Sequence, residues 1–412
     1  MCQIDPMDAP LEGIRILAVE QMQALPYATQ LLARLGADVV KVEHPTRGDL
    51  GRGSQPVVID ETGASVGATY LRNNLAKRSI GLDLSHPEAK QVFLDLVPHF
   101  DVVAENFKPG GMAKFGLSYD EVAAVHPGVV YVSVSGFGNT PGFGNDEVSP
   151  YGHWPAFAPI AEAMSGMYAF NRPADEPVKV SPVGALGDTG SGLFAAIGLL
   201  SALRRKDRTG EGAYVDISMF DCMVAFADIV PNYFSMGRDP RTAPPLINHG
   251  FAIASGEVVI QIGRPHQFAR LVQTIGHPQW AEDERFATSQ GWVDHLDVLR
   301  AALAEWAGDR STIDVAEALA DAGIAAAPIF EGADLVDDPH VRSRHMLTEI
   351  PRTDGVDRPV LTPGNPVKLA GYDDSSATPP PTLGQHTDEV LGEELGLSTA
   401  RLAELRDAGA IG

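Results

Sequence analysis

Between Ile14 and Ser135, short β-branched runs alternate with helical segments, and this alternation narrows the fold more than any other feature of the chain. Residues 14–20 read as a buried strand, Tyr27 to Leu35 as a helix closed by Gly36, and Ala37 to Glu43 as a second strand. Ser85 predicts a helix cap ahead of Pro87, and Ser118-Tyr119-Asp120-Glu121 spells a capping box. Val102 to Glu105 and Val129 to Ser135 read as further strands. Strands separated by helices pair in parallel, so the expected fold is α/β: a mainly parallel sheet with helices on both faces. In such sheets, sites gather beyond the C-terminal ends of the strands.

The pattern changes near residue 225. Glu257 to Ile262 is strand-like but sits among loops and two or three helices, which predicts a smaller α+β domain. The expected division is 1–224, 225–330 and 331–412, with closing helices at Thr387 to Leu395 and Thr399 to Ala408. Residues 371–382, rich in Asp, Ser and Pro, read as a surface crossing.

Asp188 is the chemical focus. It stands in Gly184-Ala185-Leu186-Gly187-Asp188-Thr189-Gly190-Ser191-Gly192, ahead of a helical stretch from Leu193 to Arg205. Leu193, Ile197 and Leu200 share the helical apolar period. A carboxylate at a helix start is kept ionised by the dipole and by free N–H groups, and the glycines leave room for a substrate. Such a group serves either as an N-cap or as a nucleophile.

The chain has 412 residues and a net charge of −23, which argues against a nucleic-acid binder and repels anionic substrates at long range. A phosphate-bearing substrate then needs local cations, for which Arg52, Lys77, Arg78, Lys108 and Lys114 are the candidates. No run of 18 or more apolar residues appears, no secretion signal is evident, and two cysteines make neither a disulfide framework nor a zinc pattern. These point to the cytoplasm. The histidines lack metal-ligand spacing, so no metal is expected. Gly136-Phe137-Gly138 follows a strand, but Pro141 stands where a third glycine belongs, which argues against a dinucleotide-binding dehydrogenase.

A series of segments, in order, carries a resemblance. It comprises Gln23-Ala24-Leu25-Pro26-Tyr27, Leu35-Gly36-Ala37-Asp38, Gly48-Asp49-Leu50-Gly51-Arg52-Gly53, Lys77-Arg78-Ser79-Ile80-Gly81-Leu82-Asp83, Glu105-Asn106-Phe107-Lys108-Pro109-Gly110, Val132 to Gly138, the Asp188 segment, Thr209-Gly210-Glu211-Gly212 and Leu383-Gly384-Gln385-His386-Thr387. The series resembles the class III CoA-transferases from about Pro10 to the C-terminus. The resemblance implies a large Rossmann-like domain, discontinuous in sequence because the C-terminal stretch returns to it, and an interlocked homodimer. It implies acyl-CoA and free carboxylic acids as substrates, coenzyme A as a substrate moiety, and no tightly bound cofactor.

It also implies roles. Asp188 matches the nucleophile that forms a mixed anhydride and then an aspartyl-CoA thioester. Gln23 matches an active-site glutamine able to donate to an oxyanion or to hold the acyl carboxylate. Arg52, Leu82, Asn106, Phe107, Lys114 and Arg78 are the expected CoA contacts. The turn after Asp188 is expected to offer oxyanion N–H groups. Trp154, Phe157, Met164, Met167 and Tyr168 are candidate borders of an acyl pocket, or ordinary core.

Departures from the pattern matter. Ser85 and Ser135 stand where formyl-CoA transferase or many relatives carry lysine, and its glycine-rich lid has no counterpart near Ile247-Asn248-His249-Gly250. This argues for a different acyl pair. An α-methylacyl-CoA racemase on the same scaffold is one alternative, but its Gly-His-Asp register falls on Ala156-Phe157-Ala158, and His153 is four residues away. A CoA-binding protein without catalysis is the other.

Overall fold

The computed structural model describes residues 8–60, 62–139, 149–170, 177–180, 185–238, 245–352, 354–374 and 378–412. Gly184, the 140–148 part of the loop after Gly138, and residues 375–377 of the expected crossing lie outside them. The chain packs as two compact units, Met1–Val230 with Ser343–Gly412, and Pro231–Arg342.

The first unit is built on strands β1 (Arg15–Val19), β2 (Asp38–Glu43), a hairpin of β3 (Val57–Ile59) and β4 (Ser65–Gly67), then β5 (Lys77–Gly81), β6 (Val102–Glu105), β7 (Val130–Ser135) and β8 (Ala213–Ser218). Six of these form one sheet in the order β5-β2-β1-β6-β7-β8, and every neighbouring pair is parallel. Counted among themselves, the six run 3-2-1-4-5-6, the doubly wound order whose direction reverses between β1 and β6.

Side chains of each strand alternate between two cores. Leu17, Val19, Val40, Val42, Val103 and Tyr131 face one, beneath the helices Pro87–Leu96, Thr387–Leu395 and Thr399–Asp407. Ile16, Ala18, Val39, Val102, Ala104, Val130 and Val132 face the other, beneath Ala24–Ala33, Ala158–Met164, Leu186–Thr209 and Met219–Phe226. The expected parallel sheet with helices on both faces is present. Sequence reading missed β5 and β8 as strands.

Local chemistry sets two of the helix starts. The Ser118–Glu121 capping box forms as spelled. The cap before Pro87 is His86 rather than Ser85: its Nδ1 accepts from Glu88 N at 3.2 Å, while the Ser85 hydroxyl donates to Asp83 at 2.6 Å.

The second unit carries an antiparallel sheet of β9 (Ile247–Ile253), β10 (Gly256–Ile262) and β11 (Ala325–Pro328), in the order β11-β10-β9. Its own core includes Phe268, Leu271, Trp292, Leu299 and Leu319. A last antiparallel pair, β12 (Leu347–Ile350) and β13 (Val360–Pro363), belongs to the first unit.

Candidate active site

Two cavities open where β1 and β6 diverge. The first, about 530 Å³, is lined by Gln21, Gln23, Asn106, Phe107, Lys108, Lys114, Trp154, Phe157 and Asp188 among others. The second, about 340 Å³, is lined by Val42, His44, Arg47, Gly48, Asp49, Leu82 and Ser85. They share Gln21, Leu50, Phe107 and Phe115, so they form adjoining compartments along the strand ends.

Asp188 is the third residue of the long helix Leu186–Thr209, deeper than the sequence implied. The Asp188 and Thr189 N–H groups both donate to Ala185 O, at 2.9 and 3.0 Å, so the turn after the carboxylate is already helical. This corrects the expected source of oxyanion donors. The glycines serve packing instead. A Cβ on Gly187 would lie 2.7 Å from Ala158 Cα, and one on Gly192 would lie 2.6 Å from Ala24 O. The helix therefore settles against its neighbours at backbone distance, with Asp188 in the cavity wall.

Burial outweighs the dipole at Asp188. Its pKa is pushed up to about 6 by desolvation, with Arg72 opposing and the Glu162 carboxylate reinforcing the rise. Among the described residues, no hydrogen-bond donor reaches the Asp188 carboxylate. Glu162 is itself buried, accepting from Gly187 N at 2.9 Å and from the Tyr168 hydroxyl.

Gln23 sits just before the helix Ala24–Ala33 and lines the same cavity. The residue before it, Met22, has φ of 65°, a left-handed conformation that costs a methionine roughly 1–2 kcal/mol. Asp49 Oδ1 accepts from Met22 N at 2.8 Å, and Asn73 Nδ2 donates to Met22 O at 3.3 Å. These bonds hold the turn that aims Gln23. Beneath it lies a buried ionic cluster: Lys77–Glu20 at 2.6 Å and Lys41–Asp49 at 2.8 Å, with Lys41 Nζ also donating to Glu20 O at 3.0 Å.

Residues 11–387 match the family model described as CoA-transferase family III. The chain belongs to CoA-transferase family III. Family membership makes it a CoA-transferase. A succinyl-CoA:mesaconate CoA-transferase of Haloarcula hispanica is 37% identical, over 94% of this chain and 97% of that protein. A succinate–glutarate CoA-transferase of Agrobacterium fabrum is 32% identical, over 93% and 95%. The crystal structure of a CAIB/BAIF family protein from Brucella suis superposes with a TM-score of 0.81 at 30% identity, covering 94% of this chain and all of that one.

The expected site residues of this CoA-transferase divide into two groups. Asp188, Gln23, Asn106, Phe107 and Lys114 line the larger cavity, and Leu82 lines the adjoining one. Arg52 and Arg78 line neither. Arg52 is turned inward, donating to both Glu43 oxygens at 2.8 and 2.7 Å, with its guanidinium 3.7 Å from the Tyr70 ring centre. Arg78 grips Asp38 at 3.0 and 2.6 Å and borders a different cavity. Among the other proposed cations, Lys77 is buried on Glu20, whereas Lys108 lines the larger cavity.

Of the candidate acyl-pocket residues, Trp154 and Phe157 line the larger cavity; Met164, Met167 and Tyr168 do not. His153, the displaced candidate base of the racemase reading, does not line it either. Arg72, Glu162, Met22 and Asp49 belong to the site and went unread in the sequence. Among the described residues, no group of three or more His, Cys, Asp or Glu converges as a metal set would.

The long helix has the length and hydropathy of a membrane span, but it buries Ala195, Leu199, Ala202 and Leu203 against the sheet and is a core helix. The expected stripe of Leu193, Ile197 and Leu200 is its exposed side.

Proposed function

We propose that the protein transfers CoA from an acyl-CoA donor to a free dicarboxylic acid through covalent intermediates on Asp188. The observation that carries this reading is the half-buried Asp188 carboxylate in one cavity wall with Gln23, at the reversal point of the sheet. The similar proteins from Haloarcula hispanica and Agrobacterium fabrum are named for mesaconate, succinate and glutarate, which supports dicarboxylic substrates.

An Asp188 oxygen attacks the thioester carbon. The C–S bond breaks, CoA leaves as thiolate, and an acyl-aspartyl anhydride remains. The thiolate then attacks Asp188 Cγ, releasing the donor acid and leaving an aspartyl-CoA thioester. The acceptor carboxylate attacks the same Cγ and expels the thiolate, which finally attacks the acceptor's acyl carbon and frees Asp188. Each step exchanges one carboxylate or thiolate for another, so no net proton or energy source is required. Dividing the exchange into four additions is the advantage of covalent catalysis.

Asn106, Phe107, Leu82, Lys108 and Lys114 are proposed to line the CoA path, the lysines offsetting phosphate charge within a chain of net charge −23. Arg52 and Arg78 are proposed as internal ties rather than CoA contacts. The two compact units are proposed as domains, with boundaries near 230 and 343 in place of 224 and 330. A cytoplasmic homodimer is proposed as well. The exposed stripe of Leu193, Ile197 and Leu200 supports association, and the buried, unpaired Cys222 suits a reducing compartment.

Intact-mass spectrometry after incubation with a panel of dicarboxylyl-CoA and monocarboxylyl-CoA donors, quenched with hydroxylamine or borohydride, tests the mechanism. The expected result is a modification on Asp188 that is absent in Asp188→Ala. Exchange of solvent deuterium into a branched acyl-CoA without any adduct would indicate a racemase instead. CoA binding with neither signal would indicate a non-catalytic binder.

A further inference from the structure

We infer that Arg72 is a positioning residue: it fixes the Gln23 amide with its NH₂ group as the oxyanion donor in the cavity that holds Asp188. This rests on the reading of Asp188 as nucleophile.

The geometry begins with the amide. Arg72 Nη2 hydrogen-bonds Gln23 Oε1. A carboxamide can be placed in either of two orientations, and its partners decide which is right. A guanidinium has five donors and no acceptor, so only the oxygen end of Gln23 can face it. The Nε2 end, with two N–H groups, is then the end left for other partners. Among the described residues it has none, and Gln23 lines the cavity that holds Asp188.

Each addition step creates an oxyanion on the carbon under attack, and preorganised N–H donors stabilise it most effectively. The Gly187 amide of the Asp188 helix is bonded to Glu162, and the Asp188 and Thr189 amides to Ala185. Gln23 supplies the donors they do not. A cation on the amide oxygen also polarises the group and strengthens its N–H donors.

Arg72 acts on Asp188 through space. The charged groups acting on that carboxylate are Arg72, from the helix Ala68–Asn73, and Glu162, from the helix Ala158–Met164. Lys108 and Lys114 line the same cavity, and Tyr27, on the helix Ala24–Ala33, also feels the Arg72 charge. Arg72 opposes both burial and Glu162 in keeping Asp188 ionised. Its Nε is buried without a hydrogen-bond partner, so part of this guanidinium is committed to the site at a desolvation cost.

Three variants separate positioning from general structural support. Gln23→Glu keeps an oxygen for Arg72 but removes both N–H donors, so it is expected to fold and to lose at least tenfold in kcat. Arg72→Met is expected to lose at least tenfold in kcat with KM for acyl-CoA changed less than threefold. It should also move the acid limb of kcat/KM to higher pH. Arg72→Lys should return that limb most of the way, since a point charge suffices for the field, while restoring kcat only in part.

Full activity in Gln23→Glu would overturn the donor assignment. An unmoved limb in Arg72→Met, or a limb not returned by Arg72→Lys, would overturn the field assignment. If Arg72→Met does not fold, Gln23→Glu and Arg72→Lys still decide the two parts. Carbon-13 NMR titration of the Asp188 carboxyl, assigned by its loss in Asp188→Asn, reads the field without turnover. An upward shift in Arg72→Met, in a protein that exchanges no CoA, would sustain the Arg72–Asp188 coupling and reject the transferase mechanism separately.

Discussion

Asn106 and Gln21 exchange two hydrogen bonds across the point where the strand order reverses. Gln21 N donates to Asn106 Oδ1 at 3.0 Å, and Asn106 Nδ2 donates to Gln21 O at 2.9 Å. One side chain thereby closes both backbone valences of the residue that begins the Gln21–Met22–Gln23 turn. The β1 and β6 loops, which line both sides of the larger cavity, are tied at a fixed separation.

Asn106→Ala should therefore do more than remove a contact with substrate. Two bonds are lost in a half-buried setting, at a cost of about 1–3 kcal/mol. Denaturant unfolding should show that loss. In steady-state assays kcat should fall together with affinity for acyl-CoA, because Gln23 is carried on the released turn. A change in KM alone, with wild-type stability, would reduce Asn106 to a simple CoA contact.

The pKa of Asp188, pushed up to about 6 by burial, gives the pH dependence a definite sign. In the proposed mechanism the attacking form is the anion, so kcat/KM should rise through about pH 6 and level off above it. Glu162 adds negative charge against Asp188, and removing that charge should make ionisation easier. In Glu162→Gln the limb should move to lower pH, while the Gly187 amide keeps an acceptor in its place. Rate profiles between pH 4.5 and 8 would reveal the displacement. A limb moving upward would mean that Glu162 acts through helix position rather than charge.

The ionic cluster under the Gln23 turn makes a stability prediction. Glu20 is fully buried and is still held below the usual carboxylate range: burial raises its pKa, but Lys77 and Lys41 together overcome that. Lys77→Met leaves Glu20 with Lys41 at 3.6 Å and a hydrogen bond from Thr29 at 2.7 Å. Breaking one partner of a buried pair costs about 3–5 kcal/mol. Chemical denaturation of Lys77→Met should show a loss on that scale. The double variant Lys77→Met/Glu20→Gln should recover part of it, because no unpaired charge remains.

The chain disclosed its architecture through period and punctuation. Val102 to Glu105 was legible as a strand, and the capping box at Ser118 as a helix start, because both are local signals. β5 and β8 were not, because β5 opens on Lys77-Arg78-Ser79, with Lys77 and Ser79 buried despite their polarity, and β8 is a half-buried edge strand of mixed sequence. The long helix misled in another way. Leu193, Ile197 and Leu200 have the right spacing but face outward, whereas small residues such as Gly192 and Ala195 face inward, where helices meet at backbone distance. Asp188 and Gln23, which line one cavity, were singled out by motif order. Arg72 and Glu162 were not, because their roles come from the folding of the Ala68–Asn73 and Ala158–Met164 helices toward the same carboxylate. Arg52 was read as a CoA contact because sequence shows a cation but not the Glu43 with which it pairs.

Gly192 sets two expectations against each other, and the geometry decides between them. Exchanging glycine for alanine within a helix ordinarily stabilises by up to about 1 kcal/mol. Here the added methyl would lie 2.6 Å from Ala24 O and 3.0 Å from a Tyr27 ring carbon. The ring can turn, but the carbonyl belongs to the first turn of the helix Ala24–Ala33 and cannot move alone. Relief requires the two helices to separate, an overpacking cost of roughly 1–3 kcal/mol that outweighs the propensity gain. Asp188 lies one turn before Gly192, and Gln23 immediately precedes Ala24, so the same separation moves the proposed nucleophile away from its proposed donor. Gly192→Ala should lower both the unfolding midpoint and kcat, the latter about tenfold or more, with little change in KM for acyl-CoA. A stabilised protein of unchanged kcat would show that the two helices yield without disturbing the site.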